Sequence, residues 1–173
     1  MKHQTVKIFQ KKKKNILEVW MKNQIENESL REDLMSNDDL RTQSEDLLNA
    51  LVNALSEKNL DEPESNEFAS VIEILSVISI ARARKGYSQR ETAAYVQSLK
   101  DAMLEILRDI KDADERFDIA LKVVKLFDYF SVTAFETFIK GREEVILRQT
   151  DEISEISTPV IQVWEGILAL PII

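Results

Sequence analysis

The sequence contains no cysteine and a single histidine, His3, close to the start of the chain. The absence of cysteine excludes disulfides, thiolate catalysis and metal sites built on sulfur ligands. With one histidine, which we expect in a mobile terminus, there is no Ser-His-Asp arrangement and no zinc constellation. We therefore predict a protein that is not an enzyme and that holds no metal or cofactor.

Glycine and proline are scarce as well, with three residues of each in a chain of 173. The glycines are scattered, which excludes a glycine-rich phosphate loop, and so few turn residues favour long helices. No apolar run approaches the roughly 20 residues that span a bilayer, and no signal peptide is recognisable. We expect a cytoplasmic protein that does not enter a membrane.

The net charge is −8, because acidic residues outnumber basic ones by 31 to 23. An acidic chain disfavours nucleic acid as a partner. The four lysines at positions 11–14 leave two interpretations open. They either form a patch for nucleic acid or anionic lipid, or they lie on a solvated helix face balanced by Glu18, Glu26 and Glu28, and we predict the second.

Apolar residues at helical spacing predict five helices. The first covers about residues 4–28, and the second follows an N-cap at Asn37 and ends before a loop at 59–66. The third, at 68–83, is apolar almost all round and is expected to be a central buried helix, Ile74 and Val77 included. The core positions expected in the first two helices are Val6, Phe9, Ile16, Leu17, Trp20, Ile25, Leu40, Leu47, Leu48, Leu51, Val52 and Leu55.

The corner between the third and fourth helices has the clearest local signal. Gly86 suits the left-handed position that ends a helix. The run Ser88-Gln-Arg-Glu91 is a capping box, in which the serine oxygen and the glutamate carboxylate each accept from a free amide. The fourth helix therefore begins here and extends to about Ile110. Its expected inward residues are Tyr95, Val96, Leu99, Met103, Ile106 and Leu107.

The fifth helical pattern extends from about Asp114 to Ile156 and, at about 1.5 Å per residue, is longer than a small domain is wide. Its first half has apolar positions expected in the core, namely Phe117, Leu121, Val124, Phe127 and Phe130. Its second half alternates spacings of four and three, which is a heptad pattern. We call these positions the seam and predict that they form a dimer interface: Phe135, Ile139, Arg142, Ile146, Gln149, Ile153 and Ile156.

Two features of this second half qualify the prediction. Arg142 and Gln149 are polar at seam positions, where such residues lower stability and fix register. Gly141 weakens the helix by about 1 kcal/mol relative to alanine. A parallel two-chain coiled coil is the preferred interpretation, and one more amphipathic helix against the same core is the alternative.

The last residues change character. Pro159 ends the helical pattern, and two short apolar runs at 160–164 and 167–170 flank Glu165-Gly166, which predicts a β-hairpin. A lone hairpin is marginal in water. We expect these residues to begin a second domain.

The tail GREEVILRQTDEISEISTPVIQVWEGILALPII and the corner ARARKGYSQRE resemble the N-terminal domains of RsbRD-type and RsbR-type stressosome proteins, the co-antagonists of the kinase RsbT. The end of the tail resembles the start of a STAS domain. The similarity covers the chain from about Ala81 onward, whereas the first 60 residues match only in helical character.

The resemblance implies an all-α protein with three parts: a globin-like, non-haem sensor domain at 1–134, a linking helix with a coiled-coil seam at 135–157, and the start of a STAS domain at 158–173. It implies a homodimer that passes a stress signal to the STAS domain. The implied partners are other stressosome STAS proteins and an RsbT-type serine/threonine switch kinase, upstream of sigma-B. The phosphoacceptor threonines of the family lie beyond Ile173, and Thr158 is not one of them.

Several alternatives remain open. The module either senses a signal or is a purely structural dimerisation spacer; a pocket with convergent polar groups favours the first and a fully packed core the second. A four-helix signalling bundle is the alternative architecture. Haem bound through Met103, Tyr95 or Tyr87 is also conceivable, although we expect none.

Overall fold

The computed structural model describes residues 5–26, 31–156 and 160–170. His3, Thr158 and Pro159 lie outside the described residues. The all-α class, with a long C-terminal helix and a short hairpin, is confirmed. The elements are α1 Thr5–Lys11, α2 Lys13–Glu26, α3 Asn37–Ala54, α4 Ala69–Lys85, α5 Gln89–Ile106, α6 Ala113–Ile156, β1 Ile161–Trp164 and β2 Ile167–Ala169.

The first predicted helix is two helices, separated within the lysine run at Lys12. Lys12 Nζ lies 2.9 Å from a carboxylate oxygen of Asp109, so this part of the lysine run contacts the turn after α5. Phe9, Ile16 and Trp20 are fully buried as predicted, but Ile25 is 58% exposed. The prediction for Ile25 is wrong because Met21 and Gln24 are the residues that α2 buries near its end.

Ser36, and not Asn37, is the N-cap of α3. Its hydroxyl accepts from the backbone N–H of Asp39 at 3.1 Å, which satisfies an amide that has no partner within the helix. The predicted apolar stripe of α3 is confirmed, since every member from Leu40 to Leu55 is buried. The loop at 59–66 is confirmed as well and ends in a 3-10 turn at Asn66–Phe68.

Helix α4 is buried on one face only. Val71, Leu75 and Ile78 are almost inaccessible, whereas Val77 is 63% exposed and Ile74 is half-buried. The prediction of a helix buried all round is therefore wrong. The physical reason is that α4 packs chiefly against α6, with α3 on its flank, and this leaves its remaining face to solvent.

The corner between α4 and α5 has the predicted geometry. Gly86 adopts a φ of +96°, and both hydrogen bonds of the capping box between Ser88 and Glu91 are present. The pKa of Glu91 is lowered, first because its carboxylate accepts from the backbone N–H of Ser88 and further because Arg31 Nη1 lies 3.1 Å away. The six predicted inward residues of the fourth helix are all buried.

The buried face of α6 differs from the predicted one in its first turns. Phe127 and Phe130 are buried as expected, but Phe117 and Leu121 are 65% and 46% exposed. The residues that α6 buries recur at spacings of three and four toward α4 and α5. They are Ile119, Val123, Leu126, Phe127, Phe130, Ala134, Phe138 and Gly141.

The last described elements form the predicted antiparallel hairpin, with Ile161 opposite Ala169 and Gln162 opposite Leu168. Gly166 takes a φ of +82° in the turn, a conformation that residues with a Cβ rarely adopt. The hairpin leaves large apolar side chains exposed, among them Trp164 at 74% and Leu168 at 68%. Such a surface is typical of an interaction site.

Candidate functional site on the last helix

The predicted dimer seam lies along the second half of α6. Phe135 is 46% exposed and Ile146 is 54% exposed, while Ile153 and Ile156 reach 63% and 86%. Ile139 is half-buried, and Arg142 and Gln149 are exposed. Residues at alternating spacings of three and four lie on one face of a helix. The seven seam residues therefore share a face on which four large apolar side chains are exposed.

Three contacts hold the middle of α6 against α4. Gly141 is buried, and a Cβ at this position would lie 3.0 Å from Ala83 Cβ and 3.2 Å from Ile80 Cα. Arg142 Nη1 lies 3.5 Å from the backbone oxygen of Ala83, near the C-terminal end of α4, where a cation is favourable. Arg84 Nη2 pairs with Glu144 at 2.8 Å. The linking helix is thus packed on the bundle as far as Glu144.

A buried arginine lies inside this corner. Arg82 is 1% exposed, and its guanidinium carbon lies 3.9 Å from the ring centre of Tyr87 and 4.9 Å from that of Tyr95. Its Nη2 donates to the backbone oxygen of Glu91 at 3.3 Å, whereas Nε and Nη1 have no hydrogen-bond partner among the described residues. Burial lowers the pKa of Arg82, but a guanidinium stays charged in proteins.

The stacking on two tyrosine rings partly offsets the cost of removing this charge from water. Sequence reasoning missed Arg82, although a signal was present. Val71, Leu75, Ile78 and Arg82 follow spacings of four, three and four, which places the arginine on the buried face.

A cavity of about 310 Å³ lies between α5 and α6 and is open to solvent, since Val132 and Phe135 of its lining are 58% and 46% exposed. Thr92, Ala93 and Val96 of α5 form one wall. Ser131, Phe135 and Phe138 of α6 belong to the other. As far as the described residues go, its lining contains no charged side chain. Phe135 belongs both to this cavity and to the seam, so the two surfaces adjoin.

The residues considered for haem are buried in the packed interior. Met103, Tyr95 and Tyr87 are at most 3% exposed. The Tyr95 hydroxyl lies 3.3 Å from Ser44 Oγ, and its ring packs 5.0 Å from that of Trp20. These contacts are those of a structural tyrosine, and burial raises the pKa of its hydroxyl.

Within residues 5–26, 31–156 and 160–170, no group of three or more histidine, cysteine, aspartate or glutamate residues is placed to hold a metal ion. Over the same ranges, no helix has the length and apolar content that crossing a membrane requires. The chemical features of this part of the chain are therefore the exposed seam, the apolar cavity and the buried arginine.

A comparison with known protein families gives a match over most of the chain. Residues 14–153 match the family described as the N-terminal domain of the RsbT co-antagonist protein RsbRD. The matched region includes α2 to α6 in whole or in part but not α1, and it contains the cavity and six of the seven seam residues. No curated protein and no solved structure matches the chain.

Proposed function

The chain belongs to the family of RsbT co-antagonist RsbRD N-terminal domains, and from that premise we propose that it is a sensory module of the stressosome. The family is a regulatory one and not an enzyme class. In this proposal two copies pair through the seam of α6, and the paired helices transmit a stress signal to a STAS domain. The globin-like arrangement of the helices stays a prediction.

The proposal extends to the partners of the full-length form. An RsbT-type serine/threonine kinase phosphorylates the STAS domain, and this releases the kinase to act upstream of sigma-B. In the same proposal, other stressosome STAS proteins assemble with the full-length protein, and the complex acts in the cytoplasm. The β-hairpin supports this view, because a two-stranded sheet with exposed apolar faces requires further strands or a partner to cover it.

The observation that carries the proposal is the apolar surface of α6 beyond Gly141. Ile146 and Ile156 are more than half exposed on the seam face. Water contact with such side chains costs about 25 cal/mol per Å² of apolar area, and a parallel partner helix would remove that cost. The heptad spacing is the one that two helices need to pack together along one face as a coiled coil.

Sedimentation of the chain at tens of micromolar tests the pairing. We expect a dimer, and we expect the double substitution Ile146→Asp with Ile153→Asp to convert it to a monomer, because two carboxylates per chain would have to be buried in the seam. Leu147→Asp is the matched control. Leu147 is 64% exposed on the same helix but lies about 100° around it from Ile146, so this variant should remain dimeric.

A monomeric wild-type chain would contradict the pairing. So would a monomer produced equally by Leu147→Asp, since the charge would then act without regard to the seam. Circular dichroism of each variant separates loss of pairing from loss of folding, because the bundle core lies upstream of the substituted positions.

The alternative, a spacer that sets assembly geometry and senses nothing, predicted a fully packed core. The space between α5 and α6 does not decide between the two, because it is open to solvent and apolar and so is neither a gap in the buried core nor a pocket with convergent polar groups. The sensory module is the function that we retain, because the family is a regulatory one.

A further inference from the structure

The exposed apolar surface of α6 extends beyond the seam. Seven large apolar side chains of this helix lie within about 60° of one another, at about 100° per residue. We call them the outer stripe: Phe117, Leu121, Val132, Phe135, Ile139, Ile146 and Ile153. All except the half-buried Ile139 are exposed. The buried residues Ile119, Val123 and Phe130 lie at least about 120° around the helix from every member, so the stripe faces away from the packed core.

The area of the outer stripe is larger than that of the seam alone. A fully buried aromatic side chain removes about 150–250 Å² from water, so one that is half exposed leaves roughly 100 Å². By this measure the four exposed seam residues leave roughly 400 Å², about half of what each partner buries in a standard interface. Phe117, Leu121 and Val132 raise the exposed apolar area to roughly 700 Å², which exceeds the largest apolar patch of a typical monomer.

A second copy of the chain is the occupant that fits this surface. In a symmetric pair both copies use the same patch, and the outer stripe continues into the seam. The two halves of the stripe differ in period. Ile139, Ile146 and Ile153 repeat every seven residues, whereas Leu121 and Val132 are eleven residues apart. A parallel partner opposes each half with a half of the same period, and an antiparallel partner does not.

One polar interruption divides the outer stripe, and its charges are complementary between two copies. Lys125 and Asp128 lie in the gap of eleven residues and are exposed. They form no ion pair among the described residues, although Lys122 and Asp118 of the same helix pair at 2.9 Å. Because Lys125 and Asp128 are about one turn apart, the lysine of each copy in a parallel pair can reach the aspartate of the other. Two ion pairs would then cross the interface where apolar contact is missing.

We infer that two copies of the chain pair in parallel along the whole outer stripe, from Phe117 to Ile153, and that Lys125 of each copy pairs with Asp128 of the other. The inference rests on the pairing in the proposed function and extends it, because the helical bundle itself then belongs to the interface. The paired length is roughly 54 Å. A change of conformation in the bundle would act on the pairing directly.

Cysteine cross-linking of the full chain tests the parallel contact, because the chain contains no cysteine of its own. Leu121→Cys should form a disulfide-linked dimer under mild oxidation, since disulfide formation requires the two Cα atoms to lie about 4.4–6.8 Å apart. In an antiparallel pair centred on Phe135, the two copies of residue 121 would lie roughly 40 Å apart. Val77→Cys is the control, because Val77 is also exposed but belongs to α4. It should cross-link at least about tenfold more slowly.

Sedimentation equilibrium measures the strength of the pair. Leu121→Asp with Val132→Asp should raise the dissociation constant of the dimer at least about a hundredfold, because four carboxylates per dimer would lose their hydration. Leu121→Ala with Val132→Ala, which adds no charge, should raise it about tenfold. Val77→Asp is the matched control and should leave it within about twofold. Circular dichroism and thermal unfolding show whether each variant is folded.

Exchange of the two charges tests the ion pairs. Lys125→Asp and Asp128→Lys should each raise the dissociation constant about fivefold, because each places like charges opposite one another. The chain that carries both substitutions should return to within about twofold of the wild-type value, since the pairs are restored with their signs reversed.

The outcomes separate this inference from the proposed function. A dimer whose dissociation constant is unchanged by Leu121→Asp with Val132→Asp would overturn the inference and leave the seam pairing in place. A Leu121→Cys chain that cross-links no faster than Val77→Cys would overturn it as well. If the charge exchange does not restore pairing, the contact between Lys125 and Asp128 is wrong. A wild-type monomer would instead contradict the pairing on which both proposals rest.

Discussion

Helix α6 approaches α4 closely at Gly141, and this makes Gly141→Ala a sharp test of the structure. The helix interior favours alanine over glycine by about 1 kcal/mol. If Gly141 were merely a weak point in the linking helix, the substitution would stabilise the protein by that amount. The neighbouring α4 leads to the opposite expectation.

The new Cβ would lie 3.0 Å from Ala83 Cβ, 3.2 Å from Ile80 Cα and 3.4 Å from Ile80 O. Two of these atoms are backbone, so no side-chain rotation relieves the contact, and α4 or α6 must move. Overpacking of this kind costs about 1–3 kcal/mol. Subtracting the helix-propensity gain leaves a net loss of about 1 kcal/mol, which lowers the melting temperature of a chain of this size by about 2–4 °C.

Urea unfolding at one fixed protein concentration measures this change, because a dimer's stability depends on concentration. The pair Arg148→Gly and Arg148→Ala, at an exposed position of α6, measures the propensity difference without packing. Adding Ala83→Gly to Gly141→Ala removes the Cβ–Cβ contact, and the double-mutant cycle should show a favourable coupling of about 0.5 kcal/mol or more. A gain in stability equal to that of the Arg148 pair would refute the close approach.

The remaining predictions concern burial. Burial raises the pKa of the Tyr95 hydroxyl, so the folded state holds the phenol proton more tightly than the unfolded state does. The free energy of unfolding of the wild type should therefore fall by up to about 1.4 kcal/mol per pH unit above about pH 10. Urea titrations at pH 8–11 should show this fall in the wild type and not in Tyr95→Phe. The free energy of unfolding of Arg82→Met should stay within about 1 kcal/mol of the wild-type value, because methionine fills similar space without a buried charge. A loss of about 3 kcal/mol or more would show that stacking on Tyr87 and Tyr95 outweighs the desolvation of the guanidinium. Removal of residues 160–173 should reduce aggregation in light scattering and leave the melting temperature nearly unchanged; a large loss of stability would mean that the hairpin completes the core.

The parts of the fold that were predictable from sequence are those fixed by local chemistry. Gly86 and the capping box from Ser88 to Glu91 each require only a few neighbouring residues, and both have the expected geometry. The α5 stripe was also predictable, because its apolar residues occupy one face. Where an element is apolar on several faces, the pattern no longer decides which face is buried, and this is why Phe117 and Val77 were misassigned.

The features that sequence reasoning missed depend on contacts between distant residues. Gly141 was interpreted as a weak point because the atoms that leave no room for a Cβ there belong to Ile80 and Ala83 of α4, some 60 positions earlier in the sequence. Arg82 is accommodated in the interior by the rings of Tyr87 and Tyr95, whose centres lie 3.9 and 4.9 Å from its guanidinium carbon, and by the Glu91 carbonyl. The hydroxyl of Thr92 has no hydrogen-bond partner among the described residues, and this leaves no trace in the sequence, since threonine occurs on helices of every kind.

These contacts place three roles on one helix. The 44 residues of α6 form a rod of roughly 66 Å that contacts α4 as far as Glu144. Phe135 and Phe138 line the cavity, and the seam residues beyond Glu144 are exposed. The close approach at Gly141 limits how far α6 can slide or rotate against α4. A signal can change helix pairing only if the group that carries it binds the two pairing states with different affinities. Phe135 belongs both to the seam and to the lining of the cavity, so a group that contacts α6 there would act directly on the first position of the seam.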